Sequence, residues 1–294
     1  MTSSRYITVL ANGLSFEVLE AGSGDRLALC LHGFPEHPEM WRPHIDTLVG
    51  LGYKVWAPSQ RGYGKTSKPA GIAAYHVDHL VADVAALIDA SGARTVTIVS
   101  HDWGAVVAWF FAMRKTRPLE RLVIMNVPHP AVFAKIIRSS LRQVLRSWYI
   151  FAFQIPRLPE WLISRRRGQR LREVFLSTSL RPEGFSEHEL DVYCAQISDL
   201  RTARAMLNWY RSAFQSNVTF KLVNDGVPQI EIPTLMIWGE DDHALGKETT
   251  YGTERYVKNL RLDYLAGCSH WVSQDAPERA NERLVSFLGG VTSS

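Results

Sequence analysis

The sequence predicts an α/β protein: a mostly parallel sheet flanked by helices, interrupted by an inserted all-helical segment. Three observations carry this. Short apolar runs at 27–31, 53–58, 93–99 and 121–127 alternate with helical stripes. From about 128 to about 227 no strand pattern is found, only helical stretches rich in Arg, Leu and aromatics, interrupted at Pro156, Pro159, Pro182 and Gly184. Alternation then resumes with strands at 233–238 and 261–266 and helices at 249–258 and 276–288. The expected division is a core in two parts, 1–128 and 229–294, around a helical cap, 129–228.

At 294 residues the chain can bury a sizeable core, and 46% hydrophobic against 21% charged residues is the balance of a soluble globular protein. Residues 5–10 and 14–20, separated by Asn12-Gly13, read as a β-hairpin. The continuous apolar run 27–31 suits a strand covered on both faces and ends at His32-Gly33-Phe34-Pro35-Glu36. A second buried strand leads into the loop Arg61-Gly62-Tyr63-Gly64. Val77, Leu80, Val81, Val84, Leu87 and Ile88 form a helical stripe over 75–90.

The strand at 93–99 and the unbroken helical run 105–112 flank Ser100-His101-Asp102-Trp103-Gly104. This is the small-x-nucleophile-x-small pattern of a nucleophile elbow, in the strand–turn–helix context that gives the pattern meaning. Asp102 stands where serine is usual. Asp242 and His270 follow the strands 233–238 and 261–266, at the carboxyl rim where open α/β sheets place ligands. The order nucleophile, acid, histidine is that of α/β-hydrolases. Glu240 and Asp241 share the acid's loop, and position favours Asp242. Asn126 marks another rim position for an acid but carries no charge. His101 points away from Asp102 on an extended backbone and reads as a structural elbow residue.

A carboxylate nucleophile constrains the substrate. Ionised near neutral pH, it attacks carbonyls weakly but can displace a leaving group from saturated carbon. The product is an ester of Asp102, which water activated by His270, oriented by Asp242, must cleave. The backbone N–H groups of Phe34 and Trp103 are the expected oxyanion donors. Epoxides and alkyl halides both suit this machinery. An opening epoxide becomes a basic alkoxide and needs a proton donor; a phenol, with a reference pKa of about 10, is a suitable one. Tyr149 and Tyr210, each beside a tryptophan in the cap, are the candidates, with Tyr193 a competitor.

At this point the chain resembles the α/β-hydrolase-fold epoxide hydrolases over nearly its whole length. The resemblance rests on His32-Gly33-Phe34-Pro35-Glu36 with Trp41-Arg42, Arg61-Gly62-Tyr63-Gly64, His101-Asp102-Trp103-Gly104, Trp238-Gly239-Glu240 and Ser269-His270-Trp271-Val272. Dehalogenases share these. More specific are Tyr149, four residues before Phe153-Gln154, and Tyr210 within Asn208-Trp209-Tyr210-Arg211. The resemblance implies that these two phenols bind and protonate the epoxide oxygen, and that no cofactor or metal takes part. Phe34 and Trp103 stand where dehalogenases carry a halide-binding Asn or a carboxylate-binding Arg, although the Trp103 indole could still hold a halide. A haloalkane or haloacid dehalogenase is the alternative. His243, after Asp242, departs from the family pattern.

Remaining expectations concern surroundings. His32, Pro35, Trp103 and Trp209 are the expected substrate-binding residues, and the aromatic cap (Trp148, Phe151, Phe153, Trp161, Trp209, Phe214) suggests a hydrophobic epoxide or cap core. Net charge is +4, with an excess at Arg165-Arg166-Arg167, Arg170 and Arg172 that reads as a solvated helix face; no nucleic-acid motif accompanies it. Three scattered cysteines, Cys30, Cys194 and Cys268, suit a reducing compartment, and residues 1–5 lack a signal-like apolar run, so a cytoplasmic monomer or homodimer is expected. The apolar stretch 144–163 is too interrupted by Arg, Gln and Pro to span a bilayer.

Overall fold

The computed structural model describes residues 2–290. Eight strands form one sheet: β1 (Ser4–Ala11), β2 (Leu14–Ala21), β3 (Arg26–Leu31), β4 (Lys54–Pro58), β5 (Thr95–His101), β6 (Arg121–Met125), β7 (Thr234–Gly239) and β8 (Leu260–Leu265), in the order β1-β2-β4-β3-β5-β6-β7-β8. The β1–β2 and β2–β4 pairs are antiparallel and every other pair is parallel. Strands β3, β5, β6 and β7 are buried almost end to end, because helices cover both faces; their sequences are accordingly continuous apolar runs. The hairpin turns on Asn12 and Gly13, both at positive φ, whose twist matches that of the flanking strands.

The core helices are α1 (Arg42–Gly50), α2 (Val77–Ser91) and α3 (Asp102–Met113), with α12 (Val272–Asp275) and α13 (Pro277–Leu288) near the end of the chain. The predicted stripe of α2 is its buried face, and Gly92 ends the helix in the left-handed conformation. Between β6 and β7 lies the inserted cap: α4 (Pro130–Ser139), α5 (Leu141–Arg146), α6 (Trp148–Ala152), α7 (Leu158–Ser164), α8 (Gln169–Thr178), α9 (Glu187–Ser198), α10 (Leu200–Ser216) and α11 (Val218–Asp225). No strand occurs there among the described residues.

Two expectations are corrected. The segment 249–258 is not an α-helix but two 3-10 turns, Lys247–Thr250 and Thr253–Arg255, broken at Gly252 with φ +90°. The hydroxyls of Thr249, Thr250 and Thr253 each bond a carbonyl three residues back, at 2.7–2.8 Å, offering the backbone an alternative to the helical ladder. The arginine cluster lies only in part on a helix: Arg170 and Arg172 are on α8, but Arg165, Arg166 and Arg167 are not on a regular helix face. Arg165–Gly168 is a kinked turn in which Arg166 and Arg167 take positive φ.

Candidate active site

Asp102 sits at the tip of the elbow with φ +46°, a conformation that costs a non-glycine residue energy. The turn is this tight because α3 begins against the end of β3. A Cβ on Gly104 would collide with the carbonyl oxygens of Leu31 and His32, so the second small position is sterically required. Gly33, on the facing loop, is under the same constraint, since a Cβ there would collide with the Asp102 side chain. That close approach lets the Phe34 N–H donate to Asp102 Oδ1 at 2.6 Å. Trp103 N–H has no partner of this kind.

His270 is placed by the loop after β8. Its Nδ1 lies 2.7 Å from Asp242 Oδ2, while Nε2 faces Asp102 Oδ2 at 3.7 Å, too long for a hydrogen bond. The Asp242 carboxylate is buried and saturated: Oδ1 accepts the N–H groups of Ala244 and Leu245, and Oδ2 accepts from Asn126 and pairs with His270. Its neighbours are engaged elsewhere. Glu240 pairs with Lys247, and Asp241 accepts the Gly267 N–H. His243 is exposed.

The electrostatics follow from burial opposed by pairing. Burial pushes both carboxyls up, but the His270 imidazole, with the Phe34 N–H at Asp102 and with Asn126 and Leu245 at Asp242, holds each below the usual carboxylate range. Burial pulls His270 down, and the two carboxylates more than reverse this, raising it well above an ordinary histidine.

On the cap side, Tyr149 (α6) and Tyr210 (α10) have ring centroids 6.1 Å apart. Tyr210 packs edge-on against Trp103 at 4.9 Å, Phe34 at 5.2 Å and Phe153 at 5.0 Å, which places it over the elbow. Burial, and then the Asp102 charge, push both phenols far above 10, so they stay protonated. Tyr193 is elsewhere, buried against Phe175 and donating to Glu189 at 2.6 Å.

The cap motif has a mechanical meaning. Trp209 Nε1 donates to the Arg61 carbonyl at 3.0 Å, tying α10 to the Arg61-Gly62-Tyr63-Gly64 loop. Arg211 forks onto Glu160 at 2.7 and 3.1 Å and bonds the carbonyls of Phe153 and Ile155, fixing the chain just after Tyr149. Among the expected substrate contacts, Trp103 faces Tyr210 directly. His32 is fully buried, with Nδ1 on the Gly33 carbonyl and Nε2 accepting the Gln60 N–H. The Trp209 indole N–H is likewise spent on Arg61, and the Pro35 carbonyl on Gln196.

Four supporting residues escaped the sequence reading or gained a role. Asn126 holds Asp242, as given above, and accepts the Gly239 N–H. Glu36 lies 2.8 Å from His101 Nδ1, and His101 Nε2 bonds the His270 carbonyl at 2.9 Å, which fixes the histidine loop from below. Gln196 of α9 donates to the Pro35 and Glu36 carbonyls and accepts from Gly64, clamping the Phe34 loop. Gln143 of α5 bonds Ala244 O, Gly246 N and Ser147 Oγ, joining the Asp242 loop to the residue that caps α6. Most of these partners are distant backbone atoms, which leave no pattern in the sequence.

Residues 29–277 match the α/β hydrolase fold family. The chain is 34% identical over 282 residues to AB hydrolase superfamily protein YfhM of Bacillus subtilis (strain 168), covering 95% of this chain and 96% of that one. It is 34% identical to Epoxide hydrolase 4 of Mus musculus, covering 96% of this chain and 79% of that one. The crystal structure of Bacillus megaterium epoxide hydrolase in complex with an inhibitor superposes with a TM-score of 0.87 at 29% identity, covering 97% of this chain and all of that one.

Proposed function

The chain belongs to the α/β-hydrolase-fold epoxide hydrolase family, and from that premise we propose that it converts a hydrophobic epoxide and water to a vicinal diol through an ester of Asp102. The Phe34 N–H occupies Oδ1, so Oδ2 is the attacking oxygen. It displaces the ring oxygen from one epoxide carbon, and the C–O bond breaks as Tyr149 and Tyr210 hold the oxygen and supply a proton. His270 Nε2 then takes a proton from water, and the hydroxide attacks Asp102 Cγ. The oxyanion forms on Oδ1 against the Phe34 N–H, joined by that of Trp103. Collapse expels the diol alkoxide, which takes the proton held by the His270 imidazolium, and the proton left on the Asp102 carboxyl returns to the tyrosinate, restoring carboxylate, imidazole and phenol. Asp242 stabilises the imidazolium formed in this step.

The observation that carries this reading is a pair of phenols held protonated, Tyr210 buried and Tyr149 half-buried, beside an elbow whose nucleophile is a carboxylate. Halide departure needs no proton, so a dehalogenase would leave them without a task. The test is intact-mass spectrometry of His270→Gln with styrene oxide. The expected result is a covalent adduct heavier by one epoxide, absent in Asp102→Ala. An unmodified His270→Gln protein overturns the two-step route. Halide release from haloalkanes without diol formation from epoxides would favour the dehalogenase.

A further inference from the structure

The cap aromatics expected to line a substrate pocket or fill the cap core divide into two groups. Phe153 packs on Tyr210 and Trp209 is fully buried, but Trp148, Phe151, Trp161 and Phe214 are 66%, 50%, 49% and 53% exposed. Leu141 and Leu145, one turn apart on α5, are 74% and 65% exposed, and Trp148 and Phe151 follow on α6 after a break at Ser147. Phe151 meets Phe214 edge-on at 6.0 Å, joining α6 to α10. These six large apolar side chains, left half or more exposed, or nearly so, within residues 141–161 and at Phe214, point to a contact surface.

The segment's charge is predominantly positive. Residues 130–172 hold ten Lys and Arg but one acidic residue, Glu160, which is buried and neutralised by Arg211; of the ten, Arg146 pairs with Glu248 and Arg172 with Glu187 and Asp191. With a net charge of +4 for the whole chain, the remainder of the molecule is net acidic. Arg138, Arg142, Arg157, Arg165, Arg166 and Arg167 are exposed, and the Arg165 guanidinium lies 3.9 Å over the Trp161 ring.

We propose that this cap face docks peripherally on an anionic lipid bilayer. The leucines and aromatic rings would lie at the headgroup–acyl boundary, with the arginines on lipid phosphates. A second copy of the chain fits poorly, because a twofold contact sets the patch against itself, arginines facing arginines. Docking also has a use that rests on the proposed function: α6 presents Trp148 and Phe151 outward and carries Tyr149, so the epoxide site would open close to the phase in which apolar epoxides concentrate.

The test is co-sedimentation of the full chain with phosphatidylcholine vesicles, with and without phosphatidylglycerol, at low and high salt. No epoxide is present, so its failure is separate from failure of the hydrolase reading. Binding to the anionic vesicles is expected to exceed binding to the neutral ones by about tenfold or more and to fall with salt. The triple variant Arg165→Gln/Arg166→Gln/Arg167→Gln is expected to bind about a hundredfold more weakly. Leu141→Ser/Leu145→Ser should weaken binding at both salt levels, with unchanged circular dichroism in each variant. No binding, equal binding to neutral vesicles, or a concentration-dependent dimer abolished by the leucine variant overturns the proposal.

Discussion

Asn126 Nδ2 donates to Asp242 Oδ2 at 2.9 Å while Asn126 Oδ1 accepts the Gly239 N–H at 2.8 Å. The residue at the other possible acid position therefore serves the acid that is present. It fixes the end of β7 and leaves Asp242 Oδ2 aimed at His270.

Asn126→Ala removes a hydrogen bond to a charged group, worth about 1.5–3 kcal/mol, and leaves a buried N–H unsatisfied. Turnover is expected to fall about tenfold to a hundredfold. The loss should fall on ester hydrolysis, so rapid-quench experiments with the variant should show more covalent adduct at steady state than the parent.

Tyr149→Phe and Tyr210→Phe each remove one proton donor and keep the ring packing around Phe153 and Trp103. Each should slow alkylation about 10- to 100-fold, and the double variant about 10²–10⁴-fold, the range for general acid catalysis. Pre-steady-state tryptophan fluorescence reads this step, and hydrolysis of adduct already formed should change little.

The pH dependence follows from His270, which must be neutral to accept a proton. Two carboxylates raise it in the free enzyme. Esterification removes the Asp102 charge, so the histidine falls back toward the pH where hydrolysis runs. Hydrolysis should gain rate with rising pH, and Asp242→Asn, which removes the other raising charge, should move that acid limb lower while reducing the plateau. In stability the signs are opposite. The depressed carboxyls of Asp102 and Asp242 stabilise the fold above an unfolded pKa of about 3.9, losing this as pH falls through their folded values. The raised His270 stabilises it below about 6.5, losing this as pH rises through its folded value. Urea melts across pH should show the triad's contribution greatest between those limits and diminished in His270→Gln.

Arg211→Met strands Glu160, which is otherwise buried, and releases the Phe153 and Ile155 carbonyls. Breaking such a pair costs about 3–5 kcal/mol. Thermal unfolding should show a large loss, partly recovered in Arg211→Met/Glu160→Gln, with a raised KM in both because the Tyr149 segment is loosened.

By itself, the sequence determined the alternating sheet, the helical insertion and the elbow with Asp102 at its centre. Those features are written in local periods and in small residues that tight backbone approaches demand, as at Gly104. The order of Asp102, Asp242 and His270 was legible for the same reason, each following an apolar strand. The tertiary structure decided what depends on partners far along the chain. It gave Asp242, Asp241 and Glu240 different partners, set Asn126 against Asp242, engaged the His32 ring and the Trp209 indole with backbone atoms and left Trp148 and Phe151 exposed. It also replaced the expected helix over 249–258 with turns. Side chains such as those of Gln143 and Gln196 bond backbone atoms, and any residue supplies those, so only the folded chain reveals which glutamine meets which loop.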